Sequence, residues 1–240
     1  MFSALALAVI VGMHHALETD HVAAVSSLIS GKSKTSEMVK HGLTWGLGHT
    51  LTLFLFTGAA LILGSQLSEQ ISGTLETAVG IMLIGLGLHV LWRLWKDRVH
   101  FHVHSHADKT RHFHAHSHRA QPKVDPLSHR YELHEHSHRF RWRTLLVGML
   151  HGMAGSAALL VLAASQFTSV FLATGYVLLF GVGSMIGMAF VTAVLSVPLS
   201  LTARFLNFGH KLMQLILGLV PIGVGISIIL ESGGAVLSHF

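Results

Sequence analysis

Long apolar stretches dominate the chain, and the polar positions are gathered between them. Six stretches are predicted as membrane-spanning helices: 2–29, 42–64, 72–95, 144–164, 169–198 and 211–231. Each is long enough for the roughly 20 apolar residues that cross a ~30 Å hydrocarbon core. Turn chemistry separates them at Ser30-Gly31-Lys32-Ser33, Gly64-Ser65-Gln66 and Ser165-Gln166-Phe167-Thr168-Ser169. The fifth stretch is long for one helix. Gly181, Gly183, Gly187 and Pro198 are candidates to bend or break it, with a seventh, re-entrant piece as the consequence.

The glycine pattern repeats. Gly12-Met13-His14-His15-Ala16 aligns with Gly148-Met149-Leu150-His151-Gly152 at an offset of 136. Gly46-Leu47-Gly48 aligns with Gly181-Val182-Gly183 at 135, and Gly80, Ile84 and Gly87 align with Gly218, Ile222 and Gly225 at 138. A three-span unit repeated once places its two copies upside down to one another in the membrane. The fold class expected is therefore all-α: a polytopic membrane protein of about six helices in two inverted repeats. Residues 1–96 form the first repeat, 97–143 a histidine-rich loop, and 144–240 the second repeat. Transporters of this layout hold their substrate near the midplane, at the repeat interface.

Charge refines the picture. Only 11% of the 240 residues are Asp, Glu, Lys or Arg, against about a quarter in soluble domains. All 16 Lys and Arg fall in three windows: Lys32–Lys40, Arg93–Arg143 and Arg204–Lys211. With six spans these windows share one side, which the positive-inside rule makes cytoplasmic. Both termini are expected outside, and the membrane is expected to be the cytoplasmic (inner) one. Trp92, Trp95 and Trp142 flank the long loop, where an aromatic belt belongs. The N-terminus lacks a basic n-region, so no signal-peptide cleavage is expected. The net charge of +5 does not build a nucleic-acid groove, because the cations lie in membrane loops. The chain has no cysteine, which removes disulfides, iron–sulfur clusters and transmembrane thiol conduits. It also carries neither a phosphate-binding P-loop nor a His-Glu-x-x-His protease motif, and no enzymatic activity is expected.

The chemistry concentrates in His14-His15-Ala16-Leu17-Glu18-Thr19-Asp20-His21, between the apolar runs Phe2–Met13 and Val22–Leu28. Glu18 and Asp20 are read as the acids that enter a span. A charged residue at mid-membrane costs at least about 2.5 kcal/mol on insertion scales, so a cluster of five ionisable groups points to a bound ion. Imidazole with carboxylate suits borderline divalent metals such as Ni²⁺, Co²⁺ and Zn²⁺ rather than alkali ions. An unbroken helix puts His14, Glu18 and His21 on one face. A helix unwound near Ala16–Asp20 would instead gather His15, Asp20 and His21, and would free backbone carbonyls for the ion. The sequence leaves both sets open. His49 and His151 are further candidate ligands from other spans, His151 as the repeat mate of His15. His41, His89 and His210 read as interfacial.

His15-Ala16-Leu17-Glu18-Thr19-Asp20-His21 resembles the His-x4-Asp-His signature of the nickel/cobalt transporter family, which also tends to carry an acid at the position of Glu18. Leu47-Gly48-His49-Thr50 resembles that family's Leu-Gly-His-Ser motif. His151-Gly152-Met153-Ala154-Gly155-Ser156 resembles a later motif of its urease-accessory branch. Where many members have Arg before the first motif histidine, this chain has His14. The resemblance covers both halves and implies a permease for Ni²⁺, with Co²⁺ as second candidate, whose first motif binds the metal. The ion is cargo, and no resident cofactor is expected. The expected partners are the divalent ion, the lipid bilayer and accessory proteins of nickel enzymes. Export, or a non-transporting role as a membrane metal chaperone, is the alternative.

Twelve histidines lie between His100 and His138. His100-Phe101-His102-Val103-His104-Ser105-His106 nearly repeats as His112–His118, and His134–His138 is a partial third copy. Such low-complexity composition predicts a disordered loop that chelates divalent metal loosely and encodes no selectivity.

Overall fold

In the computed structural model the described residues are 2–32, 34–63, 68–96, 100–105, 111–116, 141–167, 169–205 and 207–237. Seven helices and a hairpin follow in the order α1 Phe2–His15, α2 Thr19–Ile29, α3 Thr35–Leu63, α4 Glu69–Lys96, β1 His100–Ser105, β2 Arg111–His116, α5 Trp142–Gln166, α6 Val170–Phe205 and α7 Asn207–Leu237. The chain forms two compact units, Met1–Leu91 with Arg141–Phe240, and Trp92–Phe140.

Among the described residues four helical segments are long and apolar enough to cross a membrane: Thr35–Leu63, Gln70–Lys96, Val170–Thr202 and Gly209–Ser232. Their outer faces carry large apolar side chains, among them Phe171 at 85% exposure and Leu63 at 76%. Exposed apolar surface on this scale needs a lipid solvent. The core between the helices is built on Trp45, Met38, Ile29, Leu83 and Met188.

The first apolar stretch is two helices, not one. α1 has 14 residues and α2 has 11, so they are about 21 and 17 Å long, and each alone is too short for the hydrocarbon core. Between them the chain turns tightly. Leu17 N–H donates to His14 O at 2.8 Å and Glu18 N–H to His15 O at 3.1 Å. Glu18 is extended, with φ −59° and ψ 146°. Thr19 and Asp20, weak in a helix interior, occupy the first turn of α2, where the positive end of the helix favours a carboxylate. α2 ends at Ile29 with Ser30 as its C-cap, and the following Gly31 has a φ of 75°, the left-handed conformation that glycine adopts without strain.

Two expectations need correction. α6 runs unbroken from Val170 to Phe205, through Pro198, and supplies no re-entrant piece. The Thr202 hydroxyl, four residues beyond that proline, donates to its carbonyl at 2.8 Å. The histidine-rich segment is not wholly irregular. β1 and β2 pair antiparallel, with His100 opposite His116, His102 opposite His114 and His104 opposite His112. The partial copy at His134–His138 and the turn at Gly64-Ser65-Gln66 lie outside the described residues.

Helix packing follows the aligned glycines. A methyl on Gly12 would strike the carbonyl of Phe180, and one on Gly148 the carbonyl of Trp45. The offsets of 136 and 135 turn the first contact into the second. Likewise Gly80 meets Gly225 and Gly87 meets Gly218 between α4 and α7, two contacts that exchange under the offset of 138. The side-chain neighbours exchange too: Ile84 lies on Gly225 as Ile222 lies on Gly87.

Candidate metal centre

The break after His15 decides which residues meet. The unwound alternative is the one adopted: His15 and His21 face His49 from α3, while Asp20 meets His21 and His151 from α5. His15, His21 and His49 each offer a ligand atom within 4.8 Å of the others, and so do Asp20, His21 and His151. His21, His49 and His151 are buried, at 2%, 0% and 2% exposure.

Hydrogen bonds fix the rings. His15 Nδ1 lies 2.9 Å from Glu18 Oε1, and His21 Nδ1 lies 2.9 Å from Asp20 Oδ1. An ionised carboxylate only accepts, so each of these nitrogens carries the proton and the ring's Nε2 presents a lone pair. This carboxylate–histidine arrangement orients metal-binding imidazoles. His15 Nε2 and His49 Nε2 stand 3.3 Å apart. Two nitrogens about 2.0 Å from one tetrahedral ion are separated by about 3.3 Å. His21 Nε2 is buried without a hydrogen-bond partner, which leaves its lone pair open to a ligand.

His151 plays a different part. Its Nε2 lies 2.8 Å from Asp20 Oδ2, so Asp20 is clamped between two imidazoles. His14 is exposed and belongs to neither trio, although it lines the adjoining cavity with Glu18. Away from the cluster, His41 Nδ1 lies 2.8 Å from the Thr144 hydroxyl and His210 Nε2 lies 2.9 Å from the Gln214 amide.

Sequence reasoning missed two aromatic walls. Trp45, fully buried, stacks on His49 with ring centres 5.3 Å apart and planes at 13°. It also stands edge-on to His21 and His151. Phe180 lies 5.2 Å from His15. The signal was present one residue before the aligned glycines: Trp45-Gly46-Leu47-Gly48 matches Phe180-Gly181-Val182-Gly183. The same alignment pairs His49 with Ser184, which is buried with an unpartnered hydroxyl.

It also missed two acids inside the helices. Glu76 on α4 and Glu231 on α7 line a cavity of about 450 Å³ together with His14, His15, Glu18, Asp20, His21 and His151. Glu18 and Asp20 are thus not the only acids in apolar helices.

The chain is 30% identical over 217 residues to the urease accessory protein UreH of Bacillus sp. (strain TB-90), an alignment that covers 90% of this chain and 86% of that protein. No family model matches the chain, and no solved structure does.

Proposed function

The chain belongs to the nickel/cobalt transporter family, and from that membership and the buried imidazole cluster we propose that it is a secondary permease that takes up Ni²⁺, with Co²⁺ as second cargo, across the cytoplasmic membrane. The observation that carries the reading is the meeting of His15, His21 and His49, with two ring nitrogens 3.3 Å apart. In this reading those three rings are the ligands. Glu18 and Asp20 hold two of the rings and together offset the two positive charges of the ion. His151 holds Asp20, and His14 stands on the approach. Imidazole nitrogen suits Ni²⁺ and its neighbours in the first transition row.

The contacts that exchange under the repeat offsets support two inverted three-span units, with the split α1–α2 as a single discontinuous span. Rocking of one unit against the other would then expose the site to each side in turn. The repeat is unequal at the site. His15 has a mate in His151, but Asp20 and His21 align with Ser156 and Ala157. The pseudo-symmetry therefore yields one metal site rather than two. In this reading both termini lie outside, which the three basic windows support through the positive-inside rule. A divalent ion moving inward gains about 4.6 kcal/mol per 100 mV, so uptake needs no coupled ion.

The test is flux. Proteoliposomes holding the purified chain and an internal Ni²⁺-sensitive dye are expected to take up Ni²⁺ faster as the interior is made more negative. Tight binding with no flux above protein-free vesicles would instead select the chaperone role.

A further inference from the structure

Glu76 and Glu231 line the same cavity as His15 and His21 of the imidazole trio. Each is an exposed carboxylate within a helix apolar enough to cross a membrane. Each is held by the hydroxyl four residues earlier: Ser72 donates to Glu76 Oε1 at 3.2 Å, and Ser227 donates to Glu231 Oε1 at 3.0 Å. The two helices are tied at this level by Thr77 and Ser232, whose hydroxyls lie 2.9 Å apart. Among the described residues neither glutamate has an ion-pair partner.

A pair of acids does not by itself make a binding site. Here the same cavity reaches His21, which is 2% exposed and whose Nε2 lacks any partner. Glu18 and His14 line the wall between. The cavity is therefore lined both by two carboxylates that lack an ion-pair partner among the described residues and by His21, which carries a buried, unpartnered nitrogen.

The repeat makes the placement one-sided. The offset of 138 carries Glu76 onto Gln214 and Glu231 onto Arg93. The two ends of the α4–α7 pair thus differ in charge, with carboxylates at the start of α4 and the end of α7 and none at the opposite positions. Under the topology proposed above, the acidic end is the outer one.

We propose that Glu76 and Glu231 form a loading station for a hydrated divalent cation at the outer mouth of the cavity, ahead of the imidazole site. This rests on the permease reading and adds to it the side from which the ion arrives. Carboxylate oxygens attract a divalent ion that still keeps most of its water, whereas the imidazoles take it once that water is shed. An acidic mouth with low-dielectric walls raises the local cation concentration, by about 10- to 1,000-fold in focused clefts.

The experiment is Ni²⁺ uptake into proteoliposomes by the full chain and by the Glu76→Gln/Glu231→Gln double variant, at about 0.01 and 0.15 M ionic strength, where the screening length falls from about 30 to 8 Å. Equilibrium Ni²⁺ binding to each protein is measured alongside. The double variant is expected to raise KM about tenfold at low salt, in keeping with that focusing, with its Kd within about twofold of the parent. It is also expected to lose most of the salt dependence of KM. The Glu76→Asp/Glu231→Asp variant keeps the charge and is expected to stay near the parent KM, which separates charge from helix packing. An unchanged KM and salt dependence in the Gln variant would overturn the station while leaving the permease intact. An equal rise of KM in the Asp and Gln variants would also overturn it. Absence of flux in the parent chain would remove both.

Discussion

His15 and His49 face each other through their Nε2 atoms at 3.3 Å, although one closes α1 and the other lies within α3. The break after His15 lets His21, at the start of α2, join the same pair. We expect His15→Ala, His21→Ala and His49→Ala each to weaken Ni²⁺ binding at least about a hundredfold, which is about 2.8 kcal/mol. His14→Ala is expected to stay within about threefold of the parent, since it belongs to neither trio. Equilibrium dialysis against Ni²⁺ checks the ranking, and a loss for His14→Ala as large as for His49→Ala would contradict it.

The carboxylates should also rank. Asp20 accepts from two imidazoles and is 26% exposed, whereas Glu18 holds one ring and is 50% exposed. Orienting carboxylates are worth about 10- to 100-fold in metal affinity. Asp20→Asn is expected at the upper end of that range and Glu18→Gln at the lower. The reverse order is what an unbroken helix would give, so the same titration reads the backbone geometry.

Much of this was legible in the sequence, and the remainder has physical reasons. The helical, membrane-type character follows from hydropathy, and the close helix approaches at Gly12, Gly148, Gly80 and Gly87 follow from glycine spacing. The break at Ala16–Glu18 was one of two open alternatives, because the helical spacing of His14, Glu18 and His21 is satisfactory in itself. What selects the break is tertiary: His49 and His151 arrive from other helices. Trp45 and Phe180 passed unnoticed because an aromatic in an apolar span carries no signal until its histidine neighbour is known. Glu76 and Glu231 sit near helix ends, where a carboxylate looks interfacial. Pro198 was read as a possible break, yet α6 continues through it, packed along α1 and α3.

The glycine contacts give a prediction about assembly. Gly12→Val and Gly148→Val are expected to be similarly destructive, since each would drive a side chain into a helix carbonyl, and overpacking commonly costs about 1–3 kcal/mol or more. Gly85→Ala meets nothing within 4 Å and is expected to be neutral. Thermal unfolding in detergent, followed by size-exclusion profile, measures both. Normal stability of Gly12→Val would contradict the α1–α6 packing.

Trp45 supplies an optical probe. It stacks on His49 at 5.3 Å, so an ion on His49 lies close to the indole. With Trp92, Trp95 and Trp142 replaced by Phe, Ni²⁺ is expected to quench the remaining fluorescence in proportion to site occupancy. The quenching is expected to vanish in His49→Ala. Quenching that survived that change would place the ion elsewhere.

The loop and the site should separate. Deleting residues 100–138 is expected to leave metal selectivity unchanged and to lower metal retention or the rate at low Ni²⁺. A switch of preferred metal would move selectivity out of the membrane. A label attached near Lys109 is expected to react from the cytoplasmic side alone, and labelling from outside intact cells would reverse the topology.

The central claim is that the ion sits on three imidazoles brought together by the broken first span. X-ray absorption at the nickel edge tests it most directly, on protein loaded with less than one equivalent of Ni²⁺ so that the tightest site fills first. The expected spectrum shows imidazole nitrogens at about 2.0–2.1 Å, with one imidazole fewer in His49→Ala. A nickel environment identical in the parent and in His49→Ala, or one made of oxygen ligands alone, would contradict the account.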